Sequence, residues 1–211
     1  HSNFSDGGQT PEALAGSLAA AGVRYAALTA HDTLEGLPRF LGACRKRGIT
    51  VLPGVELTTW VHGNEIHLLA YGFDPQHAGL AATLLSMRQA HAPEVHSIAG
   101  SLRKKGTNLP DGHAAAPAVS AAPDGKLETG KAVELLHLAG GRVFWAHPLS
   151  GGPAPQDLES TLAELIALGL DGLEAYYVPY STAQTAALRR LAEKHNLLVC
   201  AGSDFHGGNG T

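Results

Sequence analysis

An apolar run passes directly into polar residues in the stretch Leu197-Leu198-Val199-Cys200-Ala201-Gly202-Ser203-Asp204-Phe205-His206, near the end of the chain. The apolar part predicts a buried strand over residues 197–201, after which Asp204 and His206 follow two positions apart. In extended backbone, side chains two positions apart point to the same side. A carboxylate and an imidazole delivered together at the end of a buried strand indicate a metal or catalytic site.

The same arrangement recurs earlier in the chain. Imidazoles and carboxylates stand at or near the ends of the apolar runs over residues 25–29, 49–57, 65–71 and 142–146, and in the first segment of the chain. Burying several charged groups together is costly unless a cation compensates them. Their convergence therefore predicts a multi-metal hydrolytic centre. Its candidate residues are His1, Asp6, His31, Glu56, His67, His147, Asp204 and His206.

Strand-like and helix-like runs alternate along the chain. Predicted helices cover residues 11–21, 37–47, 77–105, 131–138, 156–168 and 181–195, and a further strand covers 172–176. Residues 58–61 and 65–71 are predicted to form a hairpin that turns at His62-Gly63-Asn64. Alternation of this kind implies an α/β fold with a parallel sheet. The number of units favours a barrel with its chemistry on the carboxyl-end loops, and an open doubly wound sheet is the alternative.

The length of 211 residues suits one domain, which we place over residues 1–211. Within it, residues 77–130 are predicted to be an inserted helical and loop region. The second part of that region, 106–128, is rich in Ala, Pro and Gly and shows no period, so it is predicted to be a loop.

Charge and cysteine content limit the partners and the compartment. The formal net charge of −4 argues against a large basic surface for long nucleic acid. Cys44 and Cys200 lie far apart in apolar segments and are interpreted as buried thiols, which fits a reducing, cytoplasmic setting. No apolar run is long enough to cross a bilayer, and no signal peptide is visible, so a membrane partner is not expected.

Six segments, in order, resemble the motifs of the polymerase and histidinol phosphatase (PHP) superfamily of metal-dependent phosphoesterases. They are His1-Ser2-Asn3-Phe4-Ser5-Asp6-Gly7, Leu28-Thr29-Ala30-His31-Asp32-Thr33, Pro53-Gly54-Val55-Glu56-Leu57, His67-Leu68-Leu69-Ala70-Tyr71-Gly72, Ala146-His147-Pro148 and Gly202-Ser203-Asp204-Phe205-His206. The resemblance covers nearly the whole chain. It implies a distorted seven-stranded β/α barrel.

The resemblance also implies three clustered cation sites. The first would use His1, Glu56 and Asp204, and the second would use Glu56 as a bridge together with His67 and His147. The third would use Asp6, His31 and His206. Mixed imidazole and carboxylate ligands suit Mn, Zn or Fe better than Ca or Mg, so we expect two or three such divalent ions.

The sequence departs from the family pattern at its start. The first family motif has a further His two residues before the position of His1, on a leading strand of the form Asp-Leu-His, and this sequence begins too late to contain it. The first cation site is therefore one ligand short, and the barrel is expected to lack its first strand. We interpret this as truncation of a longer chain, because a barrel without a central strand would leave unpaired backbone.

The resemblance implies hydrolysis of a small phosphate ester. The long segment between His67 and His147 is similar to the subgroup that acts on nucleotides, including nucleoside 3′,5′-bisphosphates and the 5′ end of short oligonucleotides. His206 and Asp204 are the catalytic candidates, with His206 as general acid. Further expected roles are contact of Arg88 and Glu174 with substrate and orientation of a ligand imidazole by Asp32.

Three other functions stay open at this point. A histidinol-phosphate phosphatase would share the same ligands. A non-catalytic metal-binding accessory domain, like those attached to bacterial replicative polymerases, would keep most of them. An amidohydrolase barrel would usually place a modified Lys on a central strand, where this sequence has Glu56 and no Lys at any strand end.

Overall fold

The computed structural model describes residues 1–90, 126–150 and 158–207. Within these ranges the chain forms six helices and seven strands. The helices are α1 (Pro11–Ala20), α2 (Leu37–Arg45), α3 (Ala78–Ala90), α4 (Thr129–Leu138), α5 (Leu158–Ala167) and α6 (Thr182–Lys194). The strands are β1 (Tyr25–Leu28), β2 (Thr50–Val61), β3 (Asn64–Tyr71), β4 (Leu127–Glu128), β5 (Arg142–Trp145), β6 (Gly172–Tyr177) and β7 (Leu198–Gly202).

The strands form one sheet in the order β1-β2-β3-β5-β6-β7, and β4 pairs with β2 beside that path. β1 and β2 are parallel, and so are β5, β6 and β7, whereas β3 is antiparallel to both of its neighbours. The sheet curls into a half-barrel. The predicted α/β barrel is thereby confirmed, and the open doubly wound sheet is excluded.

The β2–β3 hairpin explains the reversed strand. His62 and Gly63 at its turn have positive φ angles of 47° and 82°. Positive φ at both central residues is what a two-residue type I′ turn requires, so the predicted hairpin is confirmed. β3 runs back along β2, with His67 opposite Thr58. A residue near the start of β3 therefore lies at the carboxyl end of the parallel strands.

Two apolar cores hold the sheet in shape. The larger one packs α3, α4, α5 and α6 against the sheet and buries Phe73, Met87 and Trp145 almost completely. The smaller one packs α1 and α2 against β1 around Phe40 and Cys44. Each large side chain buried in this way contributes roughly 1.5–3 kcal/mol. The strands that end at the candidate site are therefore rigidly supported.

The outer edges of β1 and β7 have no partner among the described strands. A cavity of about 510 Å³ lies between them and is lined by residues 25–27 of β1 and by Cys200 and Ala201 of β7. Tyr25 in β1 is 75% exposed, although the strand is apolar. Among the described residues, the half-barrel thus stays open between β1 and β7.

Element boundaries differ from the sequence prediction at a few places. The predicted helix over 77–105 corresponds to α3, and the rest of that prediction lies outside the described residues. β4 falls within the segment predicted to be a loop, because two residues are too few to show a period. The segments 49–57 and 58–61, predicted as two pieces, correspond to the single strand β2 (Thr50–Val61). The proposed insertion over 77–130 stays a prediction, since most of it is not described.

Both cysteines are free thiols, as the sequence predicted. Cys44 is buried as expected, whereas Cys200 is only partly buried. Across the described ranges, the helices are too short and too polar to traverse a lipid bilayer.

Candidate metal centre

Eight side chains of metal-binding type meet at the carboxyl end of the parallel strands. His31 follows β1 and pairs with Glu56 of β2 in an isolated parallel bridge. His147 follows β5, and Asp204 and His206 follow β7. The structure brings together all of the residues predicted as ligands, which are His1, Asp6, His31, Glu56, His67, His147, Asp204 and His206.

Glu56 is at the middle of this cluster, and only 2% of its side chain is exposed. Its Oε1 lies 3.0 Å from Nδ1 of His67 and 3.2 Å from Nε2 of His147. Its Oε2 lies 3.1 Å from Nε2 of His1 and 3.9 Å from Nε2 of His31. Each carboxylate oxygen therefore faces a different pair of imidazoles, as expected of a carboxylate that bridges two cations.

The two ends of the chain meet at His1. The α-amino group of His1 donates a hydrogen bond of 2.7 Å to the carbonyl oxygen of Phe205. The backbone N–H of Gly8 donates to the carbonyl oxygen of His206 at 2.6 Å. Nε2 of His1 lies 3.1 Å from Oδ1 of Asp204. These contacts fix the first segment against the last one, so ligands from opposite ends of the sequence share one site.

Asp6 links His1 to His206 at the mouth of the cluster. Its Oδ1 lies 3.1 Å from Nδ1 of His1, and its Oδ2 lies 2.9 Å from Nε2 of His206. The rings of His1 and His206 stack with their centroids 3.9 Å apart. About half of the Asp6 side chain is exposed, so this part of the centre is open to solvent.

Three groups of these residues have ligand atoms within 4.8 Å of one another, namely His1 with Asp6, His31 and His206, His1 with Glu56 and Asp204, and His31 with Glu56 and His67. The group of His1, Glu56 and Asp204 is the same as the first cation site that the resemblance implies. The group of His1, Asp6, His31 and His206 contains all three ligands of the third implied site. The remaining group has His31 where the resemblance implies His147. Nε2 of His147 nevertheless lies in hydrogen-bonding range of the same Glu56 oxygen as His67.

Strained backbone is concentrated at this centre. Five described residues other than glycine have positive φ, and three of them are Asp32 (52°), His147 (31°) and Asp204 (49°). Such a conformation costs of order 1–3 kcal/mol per residue and persists where the surrounding structure holds it. The surrounding structure therefore holds two predicted ligands, His147 and Asp204, in an unfavourable backbone conformation that directs them into the cluster.

Charge is balanced in the cluster by protons on the imidazoles. Burial would raise the pKa of Glu56, but hydrogen bonds from His1, His147 and His67 outweigh it and hold that pKa far below its usual value. Burial lowers the pKa of His1 and of His67, but their carboxylate partners raise these pKa values to about 10 and about 9. Imidazoles with such pKa values carry protons at neutral pH.

The donor set fits divalent cations. Carboxylate oxygens and imidazole nitrogens are the ligands that first-row transition metals prefer. A buried carboxylate among four imidazoles gains most when a cation replaces the imidazole protons. In addition, Nδ1 of His31 is buried and has no hydrogen-bond partner among the described residues, so it is available as a donor to a cation. The cluster is therefore a divalent-metal site in its chemistry.

Asp32 acts on the backbone beside the cluster. Its Oδ1 accepts a hydrogen bond of 2.9 Å from the backbone N–H of Thr58, and its own N–H donates to the carbonyl oxygen of Glu56. Burial raises the pKa of Asp32. These two bonds fix the loop that carries His31 against β2. The expected orientation of an imidazole by Asp32 stays a prediction.

The two residues predicted to contact substrate lie in different places. Arg88 on α3 donates to Oε1 of Glu35, beside a groove that Asp32 also lines. Glu174 of β6 is only 3% exposed and lines a cavity of about 240 Å³ together with His147 and other residues of the cluster. Its Oε2 accepts a hydrogen bond from the backbone N–H of His147, and burial raises its pKa to about 7. Contact with substrate stays a prediction for both.

Two neighbours of the cluster were not selected from the sequence. Glu65 places its Oε1 2.9 Å from Nε2 of His67, so that imidazole lies between two carboxylates. The hydroxyl of Tyr177 donates to Oδ2 of Asp204 at 3.0 Å. Period-2 alternation with His67 would have placed Glu65 on the correct face. Tyr177 is three positions after Glu174, so period-2 alternation predicts that the two side chains lie on opposite faces of the sheet.

Comparisons with known proteins give a consistent picture. The family model of the PHP domain matches residues 1–105. A 5′-3′ exoribonuclease from Haemophilus influenzae is 28% identical, with 98% of this chain and 88% of the relative aligned. A 3′,5′-nucleoside bisphosphate phosphatase from Chromobacterium violaceum is 27% identical, with 98% of this chain and 85% of the relative aligned.

A similar fold is found among solved structures. The structure of an amidohydrolase from Chromobacterium violaceum with bound sulfate superposes with a TM-score of 0.79. It is 24% identical in sequence, and the match covers 98% of this chain and 85% of that one. The half-barrel and its order of elements are therefore shared with a known fold.

Proposed function

Because the chain belongs to the PHP superfamily of metal-dependent phosphoesterases, we propose that it hydrolyses a small phosphate ester at the cluster around Glu56. We take the substrate to be a nucleotide, either a nucleoside 3′,5′-bisphosphate or the 5′ end of a short oligonucleotide. The names of the relatives from Haemophilus influenzae and Chromobacterium violaceum support this choice. Long RNA stays among the substrates to be tested, because one of those names is that of an exoribonuclease.

The observation that carries the proposal is the position of Glu56. A carboxylate that is 2% exposed and approached on both oxygens by imidazoles is poorly explained as part of an apolar core. Residues His1, Asp204, His67 and His147 around it would hold two divalent ions, and Asp6, His31 and His206 would hold a third. The mixed donor set favours Mn, Zn or Fe.

The bound ions would supply positive charge for the phosphoryl oxygens and a water whose pKa is lowered toward neutral. The residues of this chain hold the geometry. Glu56 would set the spacing between the first and second cation sites. The contacts between the segment before α1 and the segment after β7 keep His1 and Asp204 in place. The opening at Asp6 and His206 gives the substrate access, since both side chains are partly exposed.

The group that protonates the leaving group is expected on the solvent-exposed side of the centre, near Asp6 and His206. His206 is 37% exposed, and its Nε2 lies 2.9 Å from Oδ2 of Asp6, so its imidazole is in contact with solvent. If only two cations bind, His206 is available as general acid, with Asp204 beside it. If a third binds, His206 is a ligand, and the leaving group must take its proton from water. Counting bound ions therefore decides between the two roles.

The test is a substrate panel with the metal-loaded chain. We expect phosphate release from adenosine 3′,5′-bisphosphate, and from short 5′-phosphorylated RNA, to exceed release from histidinol phosphate. Long single-stranded RNA completes the panel. Glu56→Gln keeps the shape of the side chain but removes its charge, so we expect it to lose bound Mn²⁺ and to lower kcat/KM by at least about 100-fold.

Glu159→Gln is the matched control, because Glu159 is a surface residue that pairs with Lys194. We expect it to behave as the unaltered chain does. Full metal content in Glu56→Gln would contradict the bridging role of Glu56. Preference for histidinol phosphate would replace the nucleotide assignment. Metal binding with no hydrolysis of any ester would favour the accessory-domain alternative, and amide hydrolysis would favour the amidohydrolase alternative.

A further inference from the structure

Strand β6 contains a bulge beside the metal centre. Glu174 pairs with Cys200 of β7, but the next pair is Tyr176 with Ala201, so Ala175 is an extra residue on β6. In a regular strand Glu174 and Tyr177, three positions apart, would point to opposite faces. The bulge corrects this, since Glu174 lines the cavity at the cluster and Tyr177 reaches Asp204. Bulges that redirect a side chain in this way are common next to functional sites.

The hydroxyl of Tyr177 engages one oxygen of Asp204. It donates to Oδ2 at 3.0 Å, while Oδ1 of the same carboxylate lies 3.1 Å from Nε2 of His1. The carboxylate therefore has one oxygen held by Tyr177 and the other directed at the cluster. Held in this way, it is set to bind a cation through Oδ1 alone.

The ring of Tyr177 also packs beside a second ligand. Its centroid lies 5.8 Å from that of His147 and 4.9 Å from that of Tyr180, which it meets edge to face. The hydroxyl of Tyr180 accepts a hydrogen bond of 2.7 Å from the backbone N–H of Leu149. The end of β6 is thus tied to the segment after β5 that carries His147. Tyr177 therefore forms a hydrogen bond with one candidate ligand, Asp204, and its ring lies near a second, His147.

The adjacent tyrosine shows the opposite orientation. Tyr176 is 44% exposed, and the guanidinium group of Arg189 on α6 lies 5.9 Å from the centre of its ring. It thus lies on the helix side of the sheet, away from the cluster. The two neighbouring tyrosines therefore offer a test and a matched control with the same chemical change.

We propose that Tyr177 is a positioning residue of the metal centre, whose hydroxyl holds Asp204 with Oδ1 toward His1 and Glu56. The proposal rests on the proposed function in so far as it assumes that this cluster binds divalent ions. It adds a residue that acts through Asp204 and is not itself a candidate ligand. Removal of the hydroxyl frees the carboxylate to rotate, which weakens cation binding and misplaces the bound ion.

The experiment compares Tyr177→Phe with Tyr176→Phe. Mn²⁺ binding is measured by isothermal titration calorimetry and by electron paramagnetic resonance, and kcat and KM are measured at saturating Mn²⁺. For Tyr177→Phe we expect the dissociation constant of Mn²⁺ to rise about ten-fold and kcat to fall about ten-fold, with KM unchanged. Tyr176→Phe is expected to match the unaltered chain in every measurement. The thermal unfolding midpoint of the metal-free chains checks that both variants fold.

A double-mutant cycle shows whether the effect passes through Asp204. In an Asp204→Asn background, Tyr177→Phe is expected to cause no further loss of Mn²⁺ affinity. Unchanged affinity and kcat in the single Tyr177→Phe variant would overturn the proposal, and so would a rise in KM alone, which would make Tyr177 a substrate contact. If the unaltered chain binds Mn²⁺ but hydrolyses no ester, the proposed function fails, while the affinity measurements still decide the role of Tyr177.

Discussion

At the scale of single residues, the cluster is a site where protons and cations compete. Glu56 stays charged although it is buried, because protonated imidazoles surround it. A metal needs those imidazoles in their neutral form, since a protonated nitrogen cannot donate its lone pair. Each cation that enters must therefore expel protons from the same side chains that it uses.

Metal affinity is expected to rise with pH. The pKa values of His1 and His67 are raised to about 10 and about 9, so both imidazoles are protonated at pH 7 and lose their protons only as the pH approaches those values. Metal binding at pH 7 should release about two protons per chain. Calorimetry in buffers with different ionisation enthalpies measures this number directly, and Mn²⁺ titrations between about pH 6 and pH 9 measure the slope.

Two histidine variants distinguish protons released from the metal centre from protons released by histidines on the surface. His67→Gln should reduce the number of released protons by about one. His62→Gln should leave it unchanged, because His62 is 80% exposed and pairs with Glu164. An affinity that is independent of pH across this interval would contradict the proton assignment.

Six of the eight predicted ligands were readable from the sequence because they follow a strand or lie in the hairpin. His1 and Asp6 lie in the segment before α1, where the structure has no strand. Residues that act through three-dimensional contacts were harder to find. The ion pair of Arg88 with Glu35 joins positions with no regular spacing, and Tyr177 faces the cluster only because of a bulge. No periodicity in the sequence reports where a strand will gain an extra residue.

At the scale of elements, the hairpin turn controls where His67 lies. Gly63 has a φ of +82°, and a Cβ added there would meet no atom within 4 Å. The cost of a side chain at this position is therefore purely a backbone cost. Gly42 in helix α2 is the matched comparison. A Cβ added there likewise meets no atom within 4 Å, but the φ angle of Gly42 is not positive, so a side chain causes no backbone strain.

Gly63→Ala is expected to lower the free energy of unfolding by about 1 kcal/mol, because an L side chain disfavours positive φ. Gly42→Ala is expected to raise it by roughly 0.5–1 kcal/mol, because alanine loses less conformational freedom in a helix. Urea denaturation of the metal-free chain measures both. Equal effects of the same sign would show that the turn conformation does not govern the hairpin.

Element types could be predicted, and element limits only in part. Thr10 accepts a hydrogen bond from the N–H of Ala13 and is followed by Pro11, an arrangement that begins a helix. The start of α1 therefore agrees with the predicted helix over residues 11–21. The capping box of Ser181 and Gln184 likewise begins α6. β4 could not be predicted, because its two residues are in strand conformation only through pairing with β2. That pairing joins positions far apart in sequence.

At the scale of the whole molecule, the described strands leave the half-barrel open between β1 and β7. The cavity between β1 and β7 exposes apolar side chains and unpaired strand edges, which is costly for a sheet. His1 lines a neighbouring cavity that shares residues 25–27 and Ala201 with this one. A segment joined to His1 would therefore start beside the gap.

An N-terminal extension is expected to close the half-barrel. We expect a strand-length apolar segment ending in Asp-Leu-His-Ser before His1 to raise the thermal unfolding midpoint and to strengthen Mn²⁺ binding. The new backbone would pair with β1 and β7, and the added imidazole would complete the first cation site. Thermal unfolding and calorimetric Mn²⁺ titration measure the two effects separately.

The matched control replaces the added His by Ala. It should keep the gain in unfolding midpoint and lose the gain in affinity, because only the imidazole is removed. A midpoint that is unchanged by either extension would show that the gap does not accept a strand in this way.

The joining of both chain ends at one centre has a consequence for synthesis. Because His1 and Asp204 are far apart in sequence, a nascent polypeptide cannot form their contact until β7 and Asp204 have been synthesised. Cleavage between α6 and Asp204 would separate ligands that only the folded sheet brings together.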